Sequence, residues 1–241
     1  MATVLVESAD TLLDDFDPAR YLSRLADHCV EFLGARGAGV TLLESDGRPV
    51  PAAHSSERPE LVKELLEAGR TSGPTHDSLK TGKPVPPVDL ASEAAAMRWP
   101  VFTAVALRHD ITTTYAVPLR QREILLGAIS VFTPQPTTCT GGLAIAQTLA
   151  DAAAVGLLNH RAYAQYRTLA GQLRSALASR VRIEQAKGML AERWRATPDS
   201  AFTTLRQYAR SKRLPLDQVA RAVVHRALPE DELHPGKSGP A

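Results

Sequence analysis

The residues with the clearest chemistry are cations that recur at helical spacing in the last third of the chain. Six of them suit the neutralisation of phosphate groups: Arg180, Arg182, Lys187, Arg206, Arg210 and Lys212. Gln185 lies among them, and its amide group can read the edge of an unpaired base. Gly188 costs about 1 kcal/mol relative to alanine inside a helix, so we expect another backbone, a base or a sugar to approach closely there. Together these residues predict a surface that contacts a polyanion.

The charge distribution along the chain points to the same region. Residues 1–166 carry 14 Lys and Arg against 19 Asp and Glu, whereas residues 167–228 carry 13 against 4. The net charge of +2 therefore hides an acidic front and a basic back. This asymmetry indicates a polyanionic partner for the back segment, and the alternative is the solvated surface of a charged helix.

No catalytic site, metal site or covalent cofactor is predicted. Cys29 and Cys139 lie 110 positions apart, which argues against a disulfide framework and a zinc site. The seven histidines are scattered without metal-ligand spacing, and His76 beside Asp77 indicates a turn or a ligand contact rather than acid–base catalysis. Because the first residues form neither a signal peptide nor a membrane span, we expect a cytoplasmic protein with no membrane partner.

The first part of the chain has the pattern of an α+β domain. Residues 10–32 carry apolar side chains at helical spacing. Two short apolar runs, 39–43 and 49–53, flank a turn at Asp46-Gly47 and predict a hairpin. Residues 71–87 are rich in Gly, Pro, Ser and Thr, so we expect a surface loop there.

The next segments complete that pattern. Residues 94–107 indicate a helix broken at Pro100. Ile111–Val117 and Ile124–Phe132 are the strongest strand signals of the chain. We expect these two strands to be antiparallel neighbours in the centre of a sheet that helices cover.

Several segments of this domain resemble the GAF domain, a small-molecule sensor of bacterial signalling proteins. They are Leu42–Gly47, Ser72-Gly-Pro74, Gly82-Lys-Pro-Val85 with Asp89-Leu90, Arg98–Phe102, Ala116–Arg120 and Leu126–Phe132. The resemblance implies a sensor over residues 1–155. It also implies ligand contacts in and near the loop, for which we name Ser72, Gly73, Thr75, His76 and Trp99. It identifies no particular ligand, and a small-molecule effector is expected only in general terms.

A long helix is predicted to follow the sensor. No proline lies between Pro136 and Pro198, and apolar residues recur every three or four positions from Leu149 to Trp194. This spacing favours a coiled-coil seam, with residues 156–168 as the connection between domains, and a long seam usually pairs with a second copy. We therefore expect a homodimer. The alternative is an antiparallel pairing within the chain, with the helix broken at Gly156 or Gly171.

The basic region resembles the ANTAR domain of bacterial transcription antiterminators. The matching residues are Ile183-Glu-Gln-Ala-Lys-Gly-Met-Leu190, Ala201-Phe202, Leu205-Arg206, Ala209, Leu214 and Val219-Ala220. The resemblance implies an all-α module of three helices over residues 169–228. It implies that two copies each bind the loop of an RNA hairpin, and thereby prevent a terminator from forming, without catalysis. Residues 229–241 are expected to be a disordered tail.

Two other classes of function stay open at this point. A small basic helical module also suits the major groove of DNA, so a DNA-binding regulator with a sensor domain is the alternative. An enzyme built on the front domain is the third reading, and no paired nucleophile and base supports it. In the favoured interpretation, a small molecule in the front domain changes the pairing or pitch of the long helix.

Overall fold

A five-stranded antiparallel sheet forms the centre of the first part of the protein in the computed structural model, which describes residues 16–134, 141–228 and 233. The strands are β1 (Gly37–Leu43), β2 (Pro49–His54), β3 (Val85–Asp89), β4 (Thr113–Gln121) and β5 (Ile124–Thr133). Their order is β2-β1-β5-β4-β3. The predicted hairpin and the predicted pairing of the two strongest strands are confirmed. The expected α+β class is confirmed as well.

Both faces of this sheet are covered, which explains the nearly continuous apolar run of β5. Ile129 and Val131 point into a core shared with α1 (Pro18–Leu33) and the first turns of the long helix. Phe132 belongs to a second core on the opposite face, because successive side chains of a strand alternate in direction. Three helices contribute to this second core: α2 (Pro59–Ala68), α4 (Glu93–Arg98) and α5 (Pro100–Arg108). The expected helix break at Pro100 is thereby confirmed.

The prediction of a surface loop over residues 71–87 is wrong. This segment contains helix α3 (Pro74–Thr81) and the start of the edge strand β3. Pro74 begins the helix, where its missing N–H costs nothing, and Gly82 ends it in a left-handed conformation with φ of 65°. The two prolines of β3 fit an edge strand, which has an unpaired side. The Gly and Pro content therefore marks the ends of short elements rather than a loop.

The long helix, α6, runs from Gly142 to Trp194 without a break at Gly156 or Gly171. The alternative of a helix broken at a glycine is therefore wrong. The chain divides into two units between Tyr163 and Ala164, so α6 contributes to both. Its first turns bury Leu149, Ala153 and Leu157 in the core of the first unit.

The second unit consists of the remainder of α6 with α7 (Pro198–Ser211) and α8 (Leu216–Val224). Thr197 caps α7, since its hydroxyl accepts a hydrogen bond from the Ser200 N–H at 3.2 Å, and Pro198 opens the first turn as predicted. The three helices enclose one apolar core. Leu233 is buried in that core, while the rest of the predicted tail, 229–232 and 234–241, lies outside the described residues. Residues 1–15 and 135–140, with Cys139, also lie outside them.

Candidate nucleic-acid interface and sensor site

The core of the second unit sets which side chains of its three helices face solvent. The buried residues of α6 and α7 repeat at intervals of three or four, as at Ala186 and Leu190 or at Ala201 and Leu205. The intervening polar residues must therefore point outward. One apolar core already holds the three helices together, so cations that have no partner within the unit are not needed to close the fold.

Arg182 is the predicted phosphate ligand that the structure engages most fully. Its Nε and Nη2 donate hydrogen bonds to Oδ1 and Oδ2 of Asp217 at 2.7 and 2.9 Å. These bonds lower the pKa of the Asp217 carboxyl below its usual range, and they raise the pKa of Arg182. The pair joins α6 to α8, so Arg182 would have to leave Asp217 before it could bind phosphate with the same two groups. Helical spacing alone did not reveal Asp217, because it lies 35 residues away in sequence.

Lys187 is also partly engaged within the protein. Its Nζ lies 3.0 Å from a carboxylate oxygen of Glu184, and its side chain is only 17% exposed. The same ammonium sits 5.5 Å from the ring centre of Phe202 on α7, within the range of a cation–π contact. Lys187 therefore bridges α6 and α7 at the surface. Glu184 and Phe202 were not predicted as site residues.

Five of the predicted RNA-binding residues are exposed. They are three arginines, one glutamine and one lysine: Arg180, Arg206, Arg210, Gln185 and Lys212. Arg206 and Arg210 lie four residues apart and therefore share one face of α7. Within the described part of the chain the three arginines form no ion pair, so their guanidinium groups are available to an anion. Lys212 lies at the end of α7, with its Nζ 5.8 Å from the ring centre of Tyr208.

Gly188 faces open space. A Cβ atom built at this position would have no neighbour within 4 Å among the described residues. The expectation that another backbone of the chain packs there is therefore wrong. A candidate reason for a glycine here is the room that it leaves for a base or sugar on the outer face of α6.

The predicted sensor residues form a packed region of the first unit. The Thr75 hydroxyl is hydrogen-bonded to that of Ser130 on β5, and both side chains are buried. A Cβ built on Gly73 would lie 2.6 Å from the Gly69 Cα. The start of α3 thus presses directly on the end of α2. Beside Thr75 and His76 remains a cavity of about 10 Å³, which holds at most one water molecule.

Trp99 and Ser72 are tied to this packed region through two residues that were not predicted. The Trp99 ring is 1% exposed, and its Nε1 donates to Asp77 Oδ2 at 3.1 Å. Arg98 donates to the same oxygen from Nε at 2.9 Å. The Ser72 hydroxyl donates to the Arg98 carbonyl at 3.2 Å. Asp77 therefore fixes the position of the aromatic ring, and the ligand-binding role of these residues stays a prediction.

The described residues show no group that would suit metal chemistry. Among residues 16–134, 141–228 and 233, no three His, Cys, Asp or Glu side chains are placed to hold a metal ion. Burial raises the pKa of the Cys29 thiol to about 12. Since the thiolate is the reactive form, Cys29 is an inert core side chain.

One helix of the described residues, α6, is long and apolar enough to cross a membrane by length and composition alone. In its most apolar window, 44% of the residues are buried inside the protein. Core helices of soluble proteins pass the same test, so a single helix of this kind is weak evidence for a membrane span.

Comparison with known proteins accounts for both units. The sequence model of the GAF domain matches residues 17–158, and that of the ANTAR domain matches residues 171–224. No curated protein matches the chain.

Solved structures with a similar fold include two bacterial proteins. A bacteriophytochrome from the photosynthetic bacterium R. palustris is 12% identical, with a TM-score of 0.50, over 78% of this chain and 43% of that protein. The GAF domain of an Acinetobacter phosphoenolpyruvate-protein phosphotransferase is 12% identical, with a TM-score of 0.47, over 67% of this chain and 94% of that one. At this identity the bacteriophytochrome supports the fold alone.

Proposed function

Because the chain belongs to the GAF domain family and carries an ANTAR domain behind it, we propose that it is a ligand-regulated transcription antiterminator that binds RNA hairpin loops as a homodimer. ANTAR domains are RNA-binding antitermination domains, and GAF domains are small-molecule sensors. In the proposed action, hairpins held by the two copies keep an overlapping terminator from forming. The action takes place in the cytoplasm and includes no catalytic step, since both domains are regulatory in kind.

The observation that carries this proposal is the set of unpaired cations on a unit whose core is already closed. Arg206 and Arg210 extend from successive turns of α7 with no carboxylate partner among the described residues. Unpaired guanidinium groups on one helix face repel each other, so they are better explained by an external anion than by stability. The forked guanidinium matches the geometry of a phosphate group.

The chemistry of α6 complements those arginines. Gln185 is exposed and offers both a donor and an acceptor to an unpaired base. Gly188 leaves the adjacent helix surface without a side chain. If about four phosphates are neutralised on a single-stranded loop, the logarithm of the binding constant should fall with the logarithm of salt concentration with a slope near −3.

Dimerisation is supported by an apolar stripe on α6 within the second unit. Its members are all more than half exposed: Tyr166, Leu169, Leu173, Leu177 and Val181. At 3.6 residues per turn they occupy a sector of about 120° on one side of the helix. The two ends of the predicted seam differ from this stripe, because Leu149 and Leu190 are buried in the cores of the two units. A second copy of the same stripe is the proposed partner.

Binding of hairpin RNA, measured by fluorescence anisotropy, tests the proposal. The probe is an RNA hairpin identified among the transcripts that copurify with the full chain. We expect Arg206→Ala with Arg210→Ala to weaken binding about tenfold or more, since each lost hydrogen bond involves a charged group. Arg20→Ala with Arg24→Ala removes the same charge from exposed positions of α1 and should leave the affinity nearly unchanged.

Two outcomes would contradict this function. Equal affinities of the two double variants would show that the α7 face does not contact RNA. Displacement of the hairpin by duplex DNA at similar concentration would favour the alternative, a DNA-binding regulator with a sensor domain. We expect unlabelled hairpin RNA to displace the probe at far lower concentration than duplex DNA does.

A further inference from the structure

A cavity of about 480 Å³ opens in the first unit, away from the packed region around Thr75. Its walls are the segment after α3, the hairpin that joins β4 to β5, and one side of α6. Small-molecule sites in proteins commonly measure about 300 to 1,000 Å³. The first unit therefore has room for a ligand here, whereas the predicted sensor site retains about 10 Å³.

Three cations line this cavity against a single carboxylate. The lining includes Lys83, Arg120 and Arg122 together with Asp151 of α6. Within the described residues none of the three cations forms an ion pair. The Arg120 Nη1 donates a hydrogen bond to the Gly82 carbonyl at 3.2 Å, which holds that guanidinium at the cavity wall. The excess positive charge favours an anionic ligand.

The α6 wall of the cavity contributes one carboxylate acceptor, Asp151. The Gln147 Nε2 donates to the Pro118 carbonyl at 3.3 Å and to Asp151 Oδ1 at 2.8 Å. Asp151 therefore suits a ligand that also carries hydroxyl or amino groups.

We propose that this cavity binds a phosphorylated small molecule with hydroxyl or amino groups, of the size of a sugar phosphate or a nucleoside monophosphate. The phosphate lies against Lys83, Arg120 and Arg122, where charge-assisted hydrogen bonds are strong. The donor groups of the ligand reach Asp151. Inorganic phosphate alone would leave most of the volume unfilled.

The place of the cavity gives this ligand a route to regulation. Gln147 and Asp151 belong to α6, and the same helix continues to Trp194 in the second unit. A ligand that contacts both the β4–β5 hairpin and α6 favours one arrangement of the helix on the sheet. Only this regulatory meaning rests on the proposed RNA function. The binding itself does not, so it is measured without RNA.

Calorimetric titration of the full chain tests the site, with ribose 5-phosphate and AMP as probes and with ribose and adenosine as their counterparts without phosphate. We expect only the phosphorylated probes to bind. Lys83→Gln with Arg122→Gln should weaken that binding about tenfold or more. The control, Arg20→Gln with Arg24→Gln, removes the same charge from α1, which packs on β1 and β2 at the other end of the sheet. This control should leave the affinity for the phosphorylated probes unchanged. Hydrogen exchange should slow in residues 118–122 and 147–155 on binding.

Three results would overturn the inference. The first is binding of both phosphorylated probes weaker than about 1 mM. The second is equal weakening by the two double variants, which would mean a general effect of charge. The third is binding of adenosine or ribose as tight as that of the phosphorylated forms. None of these results decides the proposed RNA function, which is tested separately by the RNA affinity of the chain.

Discussion

Arg182 on α6 and Asp217 on α8 form a two-point ion pair, with Nε to Oδ1 at 2.7 Å and Nη2 to Oδ2 at 2.9 Å. The pair connects the long helix to the last helix of the second unit. It also divides the predicted cations into two groups, because a guanidinium held in this way is not free for phosphate. Arg180, Arg206, Arg210 and Lys212 remain as the cations without an ion pair among the described residues.

Substitution of Asp217 by Asn should lower the free energy of unfolding at pH 7, because Arg182 loses its charged acceptor. The folded pKa of Asp217 lies below its unfolded value, so its stabilisation is fully present above the unfolded pKa, about 4. It is lost as pH falls through the lower, folded pKa. Urea unfolding at a series of pH values should therefore show wild type and variant converging in acid.

The matched control for Asp217→Asn is Glu192→Gln, which removes one exposed negative charge from α6. It should change stability little at any pH. A stability gap between wild type and Asp217→Asn that persists or widens in acid would show that the ion pair is not the cause.

Gly188→Ala should have opposite effects on stability and on RNA binding. The new methyl group meets open space, and alanine stabilises a helix interior by about 1 kcal/mol relative to glycine. The same methyl group fills the room proposed for a base or sugar, so hairpin affinity should fall. Thermal unfolding and fluorescence anisotropy on one preparation measure the two effects.

Gly171→Ala is the control for that substitution. Gly171 is also inside α6 with nothing within 4 Å of a built Cβ, so its replacement should stabilise by a similar amount. It should not change RNA affinity. If Gly188→Ala binds the hairpin as tightly as Gly171→Ala does, the outer surface of α6 at Gly188 is not a contact.

The exposed stripe of α6 predicts a dimer that a single charge disrupts. Leu177 is 63% exposed, so Leu177→Glu should leave the fold of one chain intact while it places two carboxylates at the proposed interface. Sedimentation velocity should show a shift from dimer to monomer. Ser175→Glu adds the same charge on the opposite side of the helix, about 160° away from Leu177, and should remain dimeric. A wild-type monomer, or a dimer in both variants, would exclude this interface.

Local patterns in the sequence were enough to predict the elements but not the pairings between distant residues. The strands of the two hairpins and the capped start at Thr197 follow from turn residues and a capping hydroxyl, whose effects extend over a few residues. The regular spacing that predicted one seam in α6 combines two buried ends, each packed in the core of one unit, with an exposed apolar stripe from Tyr166 to Val181. Periodicity reports an apolar face and does not identify its partner.

The same limit applies to the two candidate sites. Lys187 and Arg182 have cationic side chains at suitable helical positions, but their acidic partners engage them in the folded chain. The cavity at Lys83 draws its charges from segments separated by about 30 to 70 residues, so no motif marks it. The packed site around Thr75 could be located from the Ser72-Gly-Pro74 motif, whereas its hydrogen bond to Ser130, 55 residues away in sequence, depends on the three-dimensional fold.

Gly73→Ala tests whether the start of α3 is a fixed part of the core. A Cβ there would lie 2.6 Å from the Gly69 Cα and 2.9 Å from the Gly69 carbonyl oxygen, and backbone atoms cannot move aside cheaply. We expect destabilisation of about 1 to 3 kcal/mol, as for other overpacked sites, measured by urea unfolding with far-UV circular dichroism. Gly141→Ala, where a Cβ meets nothing within 4 Å among the described residues, should be nearly neutral. Wild-type stability of Gly73→Ala would mean that α2 and α3 separate readily, which would favour the predicted ligand site at Thr75 and His76 over a closed core.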